Sequence, residues 1–509
     1  MKSPSMTAEL DARTASPAEV RRPDPVDRWP AGRLPLVLTA TVMFVVGCVG
    51  AGDPSPWRDE AATIVAAGRP LPSLFRLLGN LDAVHGAYYL LMHPVVSVFG
   101  TNEVVVRMPA VLASAATAAG VTALGRRLTD PVAGLTAGLA YAGAPMVTRY
   151  AQEARGYAMV CGMAVLSTWL VLNALEGRGR RPLFAYGLSL VVLGLLNVFS
   201  LLILAPHALL VWNKRLAVQW TVTVGSAVAV LSPLLWLAYR QKDQVAWIMP
   251  PTGRDVLVLG TSLAGSALMS PLVALLATAG LWRASRLRAV VLPWLVVPPA
   301  ILLTVSLIHP CYTFRYVILC LPAVALAVGA GIRRIPLWPR VLVVVALIAL
   351  SIPAHVELRR QDSRMEDLTA VASILRKRSL PGDGLFVMVM GHRRMLEMYP
   401  GIYRRLQDVT LAATPESTGD FIGKRAPRPV VVDRLRGLDR LWLWRSLPMP
   451  RSRANGRREF RGDWNTVRLA GGFSKADEWH VKGGTLMLYV RQPGFHQGRA
   501  TPKHRRPFS

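Results

Sequence analysis

Long apolar runs separated by short polar loops fill the chain from about residue 34 to residue 355. Many of these runs approach the roughly 20 residues that a helix needs to cross about 30 Å of hydrocarbon, so the pattern predicts membrane-spanning helices. We predict eleven spans, near residues 34–51, 104–124, 131–147, 156–175, 183–197, 199–212, 216–239, 256–281, 289–308, 316–332 and 341–354. The expected fold class is a polytopic α-helical membrane protein.

Basic residues indicate which side of the membrane each loop faces, because short loops rich in Lys and Arg stay in the cytoplasm. With the N-terminus inside, eleven spans place every basic loop on the cytoplasmic side: Arg126-Arg127, Arg178 to Arg181, Lys214-Arg215, Arg283 to Arg288 and Arg333 to Arg340. A further apolar segment, Ala87 to Phe99, is short and contains Pro94. Counting it as a span would turn those loops outward, so we expect a short interfacial helix there.

The regions before and after this membrane domain (33–355, with a first outer loop at 52–103) have a different composition. Residues 1–32 predict a disordered cytoplasmic tail, and residues 493–509 predict a disordered basic tail. Residues 356–492 predict a small extracytoplasmic α/β domain. Its expected elements are a helix at 366–378, a short helix after Gly391 and strands at 385–390, 429–432, 441–444 and 485–490.

Composition agrees with a membrane protein, since 52% of the 509 residues are hydrophobic and only 17% are charged. A formal net charge of +29 would suggest nucleic acid in a soluble protein. Here much of the Lys and Arg lies in short loops, where orientation and anionic lipid explain it, so we expect no nucleic-acid partner. The four cysteines are scattered and predict neither a disulfide framework nor a zinc cluster.

An acidic pair, Asp59-Glu60, lies just past the first apolar run. Carboxylates close to a bilayer lose hydration, which makes them costly to place and chemically useful. The predicted topology brings further polar residues to the same outer face: Asp82, His85, Arg107, Arg149, Glu153 and Arg155. Such a cluster suits sugar transfer from a lipid phosphate, since a carboxylate can take the acceptor proton while guanidinium groups stabilise the departing phosphate.

Several segments occur in an order that resembles a known family. They are Trp57-Arg58-Asp59-Glu60, Asp82 to Leu91, Phe99 to Glu103 with Arg107-Met108-Pro109, Gly125 to Leu128, Arg149 to Ala158 and, later, Phe314-Arg315-Tyr316. As an ordered set they resemble bacterial membrane glycosyltransferases of the GT-C superfamily, in the protein mannosyltransferase-like (family 39) group. The resemblance covers about residues 34–355 and is strongest in the first half.

The resemblance implies a multi-pass enzyme of the bacterial cell membrane that takes a sugar, with mannose expected, from a polyprenyl-phosphate donor. The acceptor would be a glycan, lipid or protein on the outer face. Asp59 then resembles the general base, and Glu60 its partner for acceptor, metal or a neighbouring Arg. We hypothesise that Arg155, Arg149 or Arg315 binds the donor phosphate.

The second acidic landmark of the family falls on Asp82 and His85, which we expect to support the acceptor or the loop together with Arg107 and Glu153. Where many relatives read His-Pro-Pro, this chain has His85-Gly86-Ala87. Some superfamily members need a divalent cation, but these few ligands are too little to assert one, so no cofactor is predicted with certainty.

Structural roles stay open for the same residues. Asp59 and Glu60 can serve to cap the helix that follows, and His85 can be an interfacial anchor. Arg107 can pair with Glu103 or extend its charge to the interface.

Glu153 and Arg155 can pair with each other or with neighbouring helices, without taking part in chemistry.

Other roles for the chain as a whole also stay open. A multi-span transporter is one alternative function, although transporters place charges near the midplane, whereas the acidic residues here collect at one face. A membrane protein that binds envelope polymers through its basic outer domain is another.

Overall fold

The computed structural model describes residues 32–177, 181–212, 215–388, 393–446 and 453–493. Apart from residues 32 and 493, the two predicted tails lie outside this part of the chain. Helices dominate the described residues up to residue 358. They are α1 (Leu34–Cys48), α2 (Arg58–Ala67), α3 (Leu71–Asn80), α4 (Gly86–Phe99), α5 (Glu103–Leu128), α6 (Pro131–Ala142), α7 (Pro145–Ala151), α8 (Tyr157–Leu175), α9 (Arg181–Leu196), α10 (Leu204–Val211), α11 (Ala217–Arg240), α12 (Gly253–Ala264), α13 (Ser270–Leu281), α14 (Ser285–Ile308), α15 (Leu321–Arg334) and α16 (Leu337–Leu358).

Short 3₁₀ segments join several of these helices, at Ala83–His85, Val198–Ile203, Lys242–Val245, Phe314–Cys320 and Gln361–Ser363. Within the described ranges, six stretches are long and apolar enough to cross a membrane: Glu103–Leu128, Tyr157–Leu175, Ala217–Arg240, Ser285–Ile308, Phe314–Arg334 and Leu337–Leu358. Shorter apolar helices of 10–17 residues accompany them. The polytopic helical class is confirmed, and the count of eleven spans stays a prediction.

The predicted single span at 256–281 is wrong. The structure divides it into α12 and α13, because Gly265 adopts a φ of 100° that ends α12. The segment from Ala87 to Phe99 forms α4, which packs against α2 and α5. Its interfacial position stays a prediction.

Small residues bring the central helices together. α5 contacts α1, α6 and α8, and the largely buried α15 lies against α6 and α13. A β-carbon at Gly329 would overlap the backbone of Ala137 on α6, and one at Gly331 would overlap Leu276 on α13. Lipid tails are as apolar as the helix surfaces, so no hydrophobic effect drives membrane helices together. They associate instead through close backbone approach of this kind.

The region after α16 is a small α/β domain, as expected. Its helices are α17 (Leu368–Arg378), α18 (Arg394–Glu397), α19 (Pro400–Tyr403), α20 (Pro415–Thr418), α21 (Arg428–Arg436) and α22 (Arg453–Ala470). Its strands are β1 (Gly384–Met388), β2 (Gln407–Asp408), β3 (Leu411–Ala413), β4 (Lys424–Arg425), β5 (Arg440–Ser446), β6 (Phe473–Val481) and β7 (Gly484–Arg491). The main sheet has the order β2-β1-β5-β7-β6, with β2, β1 and β5 parallel and the other pairings antiparallel.

The strand predicted at 429–432 is wrong, because this stretch belongs to helix α21. Pro429 is compatible with the first helical turn, and Val431 and Leu435, four residues apart, bury one face of the helix. Strand β6 was not predicted, because it is an edge strand of mixed polar and aromatic residues. The predicted strands at 385–390, 441–444 and 485–490 correspond to β1, β5 and β7.

Candidate active site

A cleft of about 550 Å³ lies between residues 52–103, which the sequence predicts as the first outer loop, the ends of several membrane helices and the C-terminal domain. Five of the residues predicted for the site line it: Asp59, Asp82, His85, Arg155 and Arg315. Asp59 comes from the first turn of α2, where the helix N-terminus favours negative charge, although no side chain caps this N-terminus with a hydrogen bond. Arg155 lies two residues before the start of α8, and Arg315 is the second residue of the 3₁₀ segment that leads into α15.

Asp59 lies between two guanidinium groups. Its Oδ2 accepts a hydrogen bond from Arg315, and Arg155 Nη2 lies 3.9 Å from the same oxygen. Burial alone would raise the pKa of the Asp59 carboxyl, but Arg315 and Arg155 outweigh it and lower that pKa to about 2. Asp59 is therefore ionised at neutral pH, with its charge shared between two arginines.

A short hydrogen-bond chain links this pair to the second acidic landmark. Arg155 Nη1 donates to the Tyr89 hydroxyl at 3.1 Å, and that hydroxyl donates to Asp82 Oδ2 at 2.5 Å. Asp82 has a φ of 63°, a left-handed conformation that Asp tolerates better than most residues. Asp82 and Tyr89 thus hold Arg155 in place.

The adjacent His85 lines the same cleft, and burial followed by the charge of Arg155 lowers its pKa to about 4. It is neutral at physiological pH. Within the described ranges, no three His, Cys, Asp or Glu side chains are grouped closely enough to hold a metal ion. The candidate site is thus built from carboxylates, guanidinium groups and a neutral imidazole.

Glu60 does not line the cleft, and of the three partners expected for it the structure shows the neighbouring arginine. Both of its carboxylate oxygens accept hydrogen bonds from Arg107, each at 2.8 Å, and Ala154 N–H donates to Oε1 at 3.0 Å. Arg107 also donates to the carbonyls of Ala51 and Pro54, at 2.7 and 2.9 Å. Arg107 therefore pairs with Glu60 rather than with Glu103, and the pair fixes the first outer loop to α5.

Two further predicted residues also lie outside the cleft lining that the structure describes. Arg149 is half-buried, with its guanidinium 5.9 Å from the ring of its neighbour Tyr150. Glu153 is fully buried, neither carboxylate oxygen has a hydrogen-bond partner in the described part of the chain, and burial raises its pKa. Of the three arginines expected for the donor phosphate, Arg155 and Arg315 line the cleft and Arg149 does not. Glu153 does not pair with Arg155 through its side chain.

The C-terminal domain contributes one wall of the cleft, which sequence reasoning missed. Met365, Arg394, Phe421 and Ile422 line it. The linking segment is anchored to the outer loop by Glu366, which accepts hydrogen bonds from the backbone and side chain of Arg58 at 3.3 and 2.5 Å. These residues lie some 300 positions from Asp59 along the chain, and no local pattern signals the contact.

Aromatic residues complete the membrane side of the cleft. Phe199 stacks on Tyr316 with ring centroids 4.3 Å apart, and Trp57 lies under the Arg315 guanidinium at 5.4 Å. Trp57 and Tyr316 belong to the motifs noted in the sequence, whereas Phe199 follows α9 without a recognisable signal. A cation over an aromatic face is favourable and here helps to orient Arg315.

Comparison with known proteins agrees with this architecture. Residues 87–238 match the sequence model of the dolichyl-phosphate-mannose-protein mannosyltransferase family. No curated protein sequence matches the chain significantly. The structure of ArnT from Cupriavidus metallidurans in the apo state is similar at a TM-score of 0.57 with 14% identity, over 89% of this chain and 97% of ArnT.

The same ArnT bound to undecaprenyl phosphate gives a TM-score of 0.58 with 13% identity, over 90% of this chain and 98% of ArnT. The oligosaccharyltransferase from Archaeoglobus fulgidus is less similar, at a TM-score of 0.46 with 12% identity over 90% and 73% of the two chains. The ArnT likeness extends beyond the membrane helices into the C-terminal domain. The GT-C resemblance of the sequence motifs is thereby confirmed at the level of the fold, while the mannosyltransferase family model matches residues 87–238 alone.

Proposed function

We propose that this protein is a glycosyltransferase that moves a sugar from a polyprenyl-phosphate donor to an acceptor hydroxyl on the outer face of a bacterial cytoplasmic membrane. The observation that carries the proposal is the position of Asp59 between Arg155 and Arg315, in a cleft at the ends of membrane helices. The match to a mannosyltransferase family and the undecaprenyl phosphate bound by ArnT support it.

In this proposal the lipid tail of the donor lies among the helices and its phosphate lies on Arg155 and Arg315. Guanidinium groups suit this role, because their planar donors match phosphate oxygens and keep their charge near lipid. The acceptor oxygen attacks the anomeric carbon and forms the new glycosidic bond, while the bond from that carbon to the phosphate oxygen breaks. Asp59 takes the hydroxyl proton, the polyprenyl phosphate leaves on the arginines, and the anomeric configuration inverts.

The low pKa of Asp59 has a direct consequence for this mechanism. A carboxylate with a pKa of about 2 is a weak base while both arginines neutralise it. A donor phosphate competes for the same guanidinium groups, so its binding weakens their hold on Asp59 and raises the basicity of the carboxylate. Asp59 therefore becomes an effective base only when the donor is bound, which limits proton transfer from a hydroxyl in the absence of a donor.

The sugar proposed is mannose, on the strength of the family description alone. The acceptor is a hydroxyl compound that reaches the cleft from the side of the C-terminal domain, since the donor tail occupies the membrane side. Asp82, Tyr89 and His85 act as positioning residues that hold Arg155 and shape the loop.

A purified-protein assay tests the proposal. The protein in lipid nanodiscs is incubated with a panel of polyprenyl-phosphate sugars and candidate acceptors, with and without chelator, and the release of polyprenyl phosphate is measured. We expect release from one donor of the panel, with decaprenyl-phosphate-mannose first among them. Release from none of the donors, with folded protein and the candidate acceptors present, would overturn the proposal.

A further inference from the structure

Arg394 is a basic residue of the cleft that the sequence motifs did not single out. It begins helix α18 of the C-terminal domain, which packs against α2, and it lines the cleft. Its guanidinium lies 5.2 Å from the ring centroid of Phe421, and Arg69 lies 5.5 Å from the same ring. Phe421 is almost fully buried, so it provides a fixed platform for the Arg394 guanidinium.

The other arginines of the cleft already have acidic partners. Arg58 pairs with Glu366, and Arg155 and Arg315 share Asp59. The Arg394 side chain, in contrast, makes no hydrogen bond or salt bridge with any residue that the structure describes, and its buried Nε is without a hydrogen-bond partner there. Its charge acts on Asp59 only at a distance, where it adds to the effect of Arg315 and Arg155 in lowering the pKa of that carboxyl. A partly buried guanidinium without a hydrogen-bonded anion is costly, so its position needs a reason.

The cleft as a whole also carries an excess of positive charge. Its lining contains five basic side chains and two carboxylates: Arg58, Arg155, Lys242, Arg315 and Arg394 against Asp59 and Asp82. One phosphate at Arg155 and Arg315 does not balance this excess. Because Glu366 already neutralises Arg58, the charge left over lies on Lys242, just after α11, and on Arg394, in the C-terminal domain. A cleft lined mainly by one sign of charge attracts ligands of the opposite sign.

The two walls of the cleft separate the two substrates of the proposed function. A polyprenyl donor must keep its tail among the membrane helices, so its phosphate lies near Arg155 and Arg315, which those helices supply. Arg394 comes from the wall that belongs to the C-terminal domain. An anion that binds Arg394 therefore belongs to the acceptor.

We propose that Arg394 is a specificity-determining residue that binds a carboxylate or phosphate group on the acceptor, so that the C-terminal domain selects anionic acceptors. The inference rests on the proposed function, because it takes Arg155 and Arg315 as the donor side. Phe421 holds the guanidinium in position, and Asp59 lies between the donor phosphate and the acceptor anion. The small domain thus forms part of the substrate site rather than an appendage to it.

Binding measurements test this proposal without requiring turnover. Full-length protein in nanodiscs is saturated with undecaprenyl phosphate and titrated with methyl β-glucuronide, and separately with neutral methyl β-glucoside. Four proteins are compared: wild type, Arg394→Gln, Arg394→Lys and Arg404→Gln. Arg404 is exposed in the same domain, so its replacement removes the same charge away from the cleft.

We expect wild type and Arg404→Gln to bind the glucuronide about tenfold to a hundredfold more tightly than the glucoside, as for one charge-assisted hydrogen-bonded pair. Arg394→Gln should lose this preference while keeping its affinity for the glucoside and for undecaprenyl phosphate. Arg394→Lys should keep part of it, because lysine retains the charge but not the planar fork. A merely structural role would lower all three affinities together.

Three results would overturn the inference: equal binding of both glycosides by wild type, an unchanged preference in Arg394→Gln, or loss of undecaprenyl phosphate binding in that variant. Failure of wild type to bind undecaprenyl phosphate would instead count against the proposed function. The glycoside comparison without lipid then still decides whether Arg394 forms an anion site.

Discussion

The buried pair of Glu60 and Arg107 offers a sharp test of how the first outer loop is held. Both side chains are almost completely inaccessible to solvent, and they share two parallel hydrogen bonds of 2.8 Å. Replacing Glu60 with Gln keeps the shape of the side chain but removes its charge. The Gln amide also places an N–H group against the Arg107 donors, so one of the two hydrogen bonds is lost and the arginine keeps an uncompensated charge.

The expected cost follows from this geometry. Removing one partner of a buried ion pair typically destabilises a protein by about 3–5 kcal/mol, because the remaining charge stays out of water. The two carbonyls that Arg107 also contacts, of Ala51 and Pro54, offset part of this cost. We therefore expect Glu60→Gln to lose about 3 kcal/mol of unfolding free energy.

The assay is chemical denaturation of purified protein in mixed micelles, compared with wild type. Glu103→Gln is the matched control, since Glu103 is the other carboxylate considered for Arg107 and lies half-buried at the start of α5. Its replacement should change the unfolding free energy by less than about 1 kcal/mol. A stable Glu60→Gln protein beside a destabilised Glu103→Gln protein would refute the assignment.

Three further predictions follow from other parts of the structure. Arg155→Lys should raise the donor Michaelis constant about tenfold and leave the acceptor constant unchanged, because lysine lacks the planar fork; kinetics with each substrate varied in turn would check this. Because Arg315 and Arg155 lower the pKa of Asp59 to about 2, the ionised carboxylate stabilises the folded protein above about pH 4, and this contribution, on the order of 2 kcal/mol, is lost as the pH falls toward 2. Unfolding curves of wild type and Asp59→Asn should therefore converge over that interval, and a constant difference would contradict the assignment. Gly329→Ala should lower the apparent unfolding temperature by several degrees, since its new methyl group meets the backbone of Ala137, whereas Gly260→Ala, in open space on α12, should not.

The membrane helices were predictable because their apolar runs are long. Asp59, Asp82, Arg155 and Arg315 were also predictable as one site, since the motifs and the expected topology placed them at the same ends of the helices. The break at Gly265 was not, because one glycine inside an apolar run looks like any other glycine in a membrane helix.

Side-chain direction and distant contacts were beyond the sequence. Asp59 and Glu60 are adjacent, yet a helix turns successive residues by about 100°, so one faces the cleft and the other faces Arg107. The sequence pattern could not show which of the two carboxylates faces the cleft. Arg394 reaches the cleft only through the packing of α18 against α2, a contact across more than 300 residues.

The most direct test of the account is sugar transfer and lipid binding by Asp59→Asn beside wild type, both in nanodiscs. Loss of a general base typically lowers turnover by about a hundredfold or more, so transfer should nearly vanish. Binding of undecaprenyl phosphate should stay the same or become tighter, because Arg155 and Arg315 no longer share their charge with a carboxylate. Transfer by Asp59→Asn at the wild-type rate would contradict the central claim that Asp59 takes the acceptor proton between the two arginines.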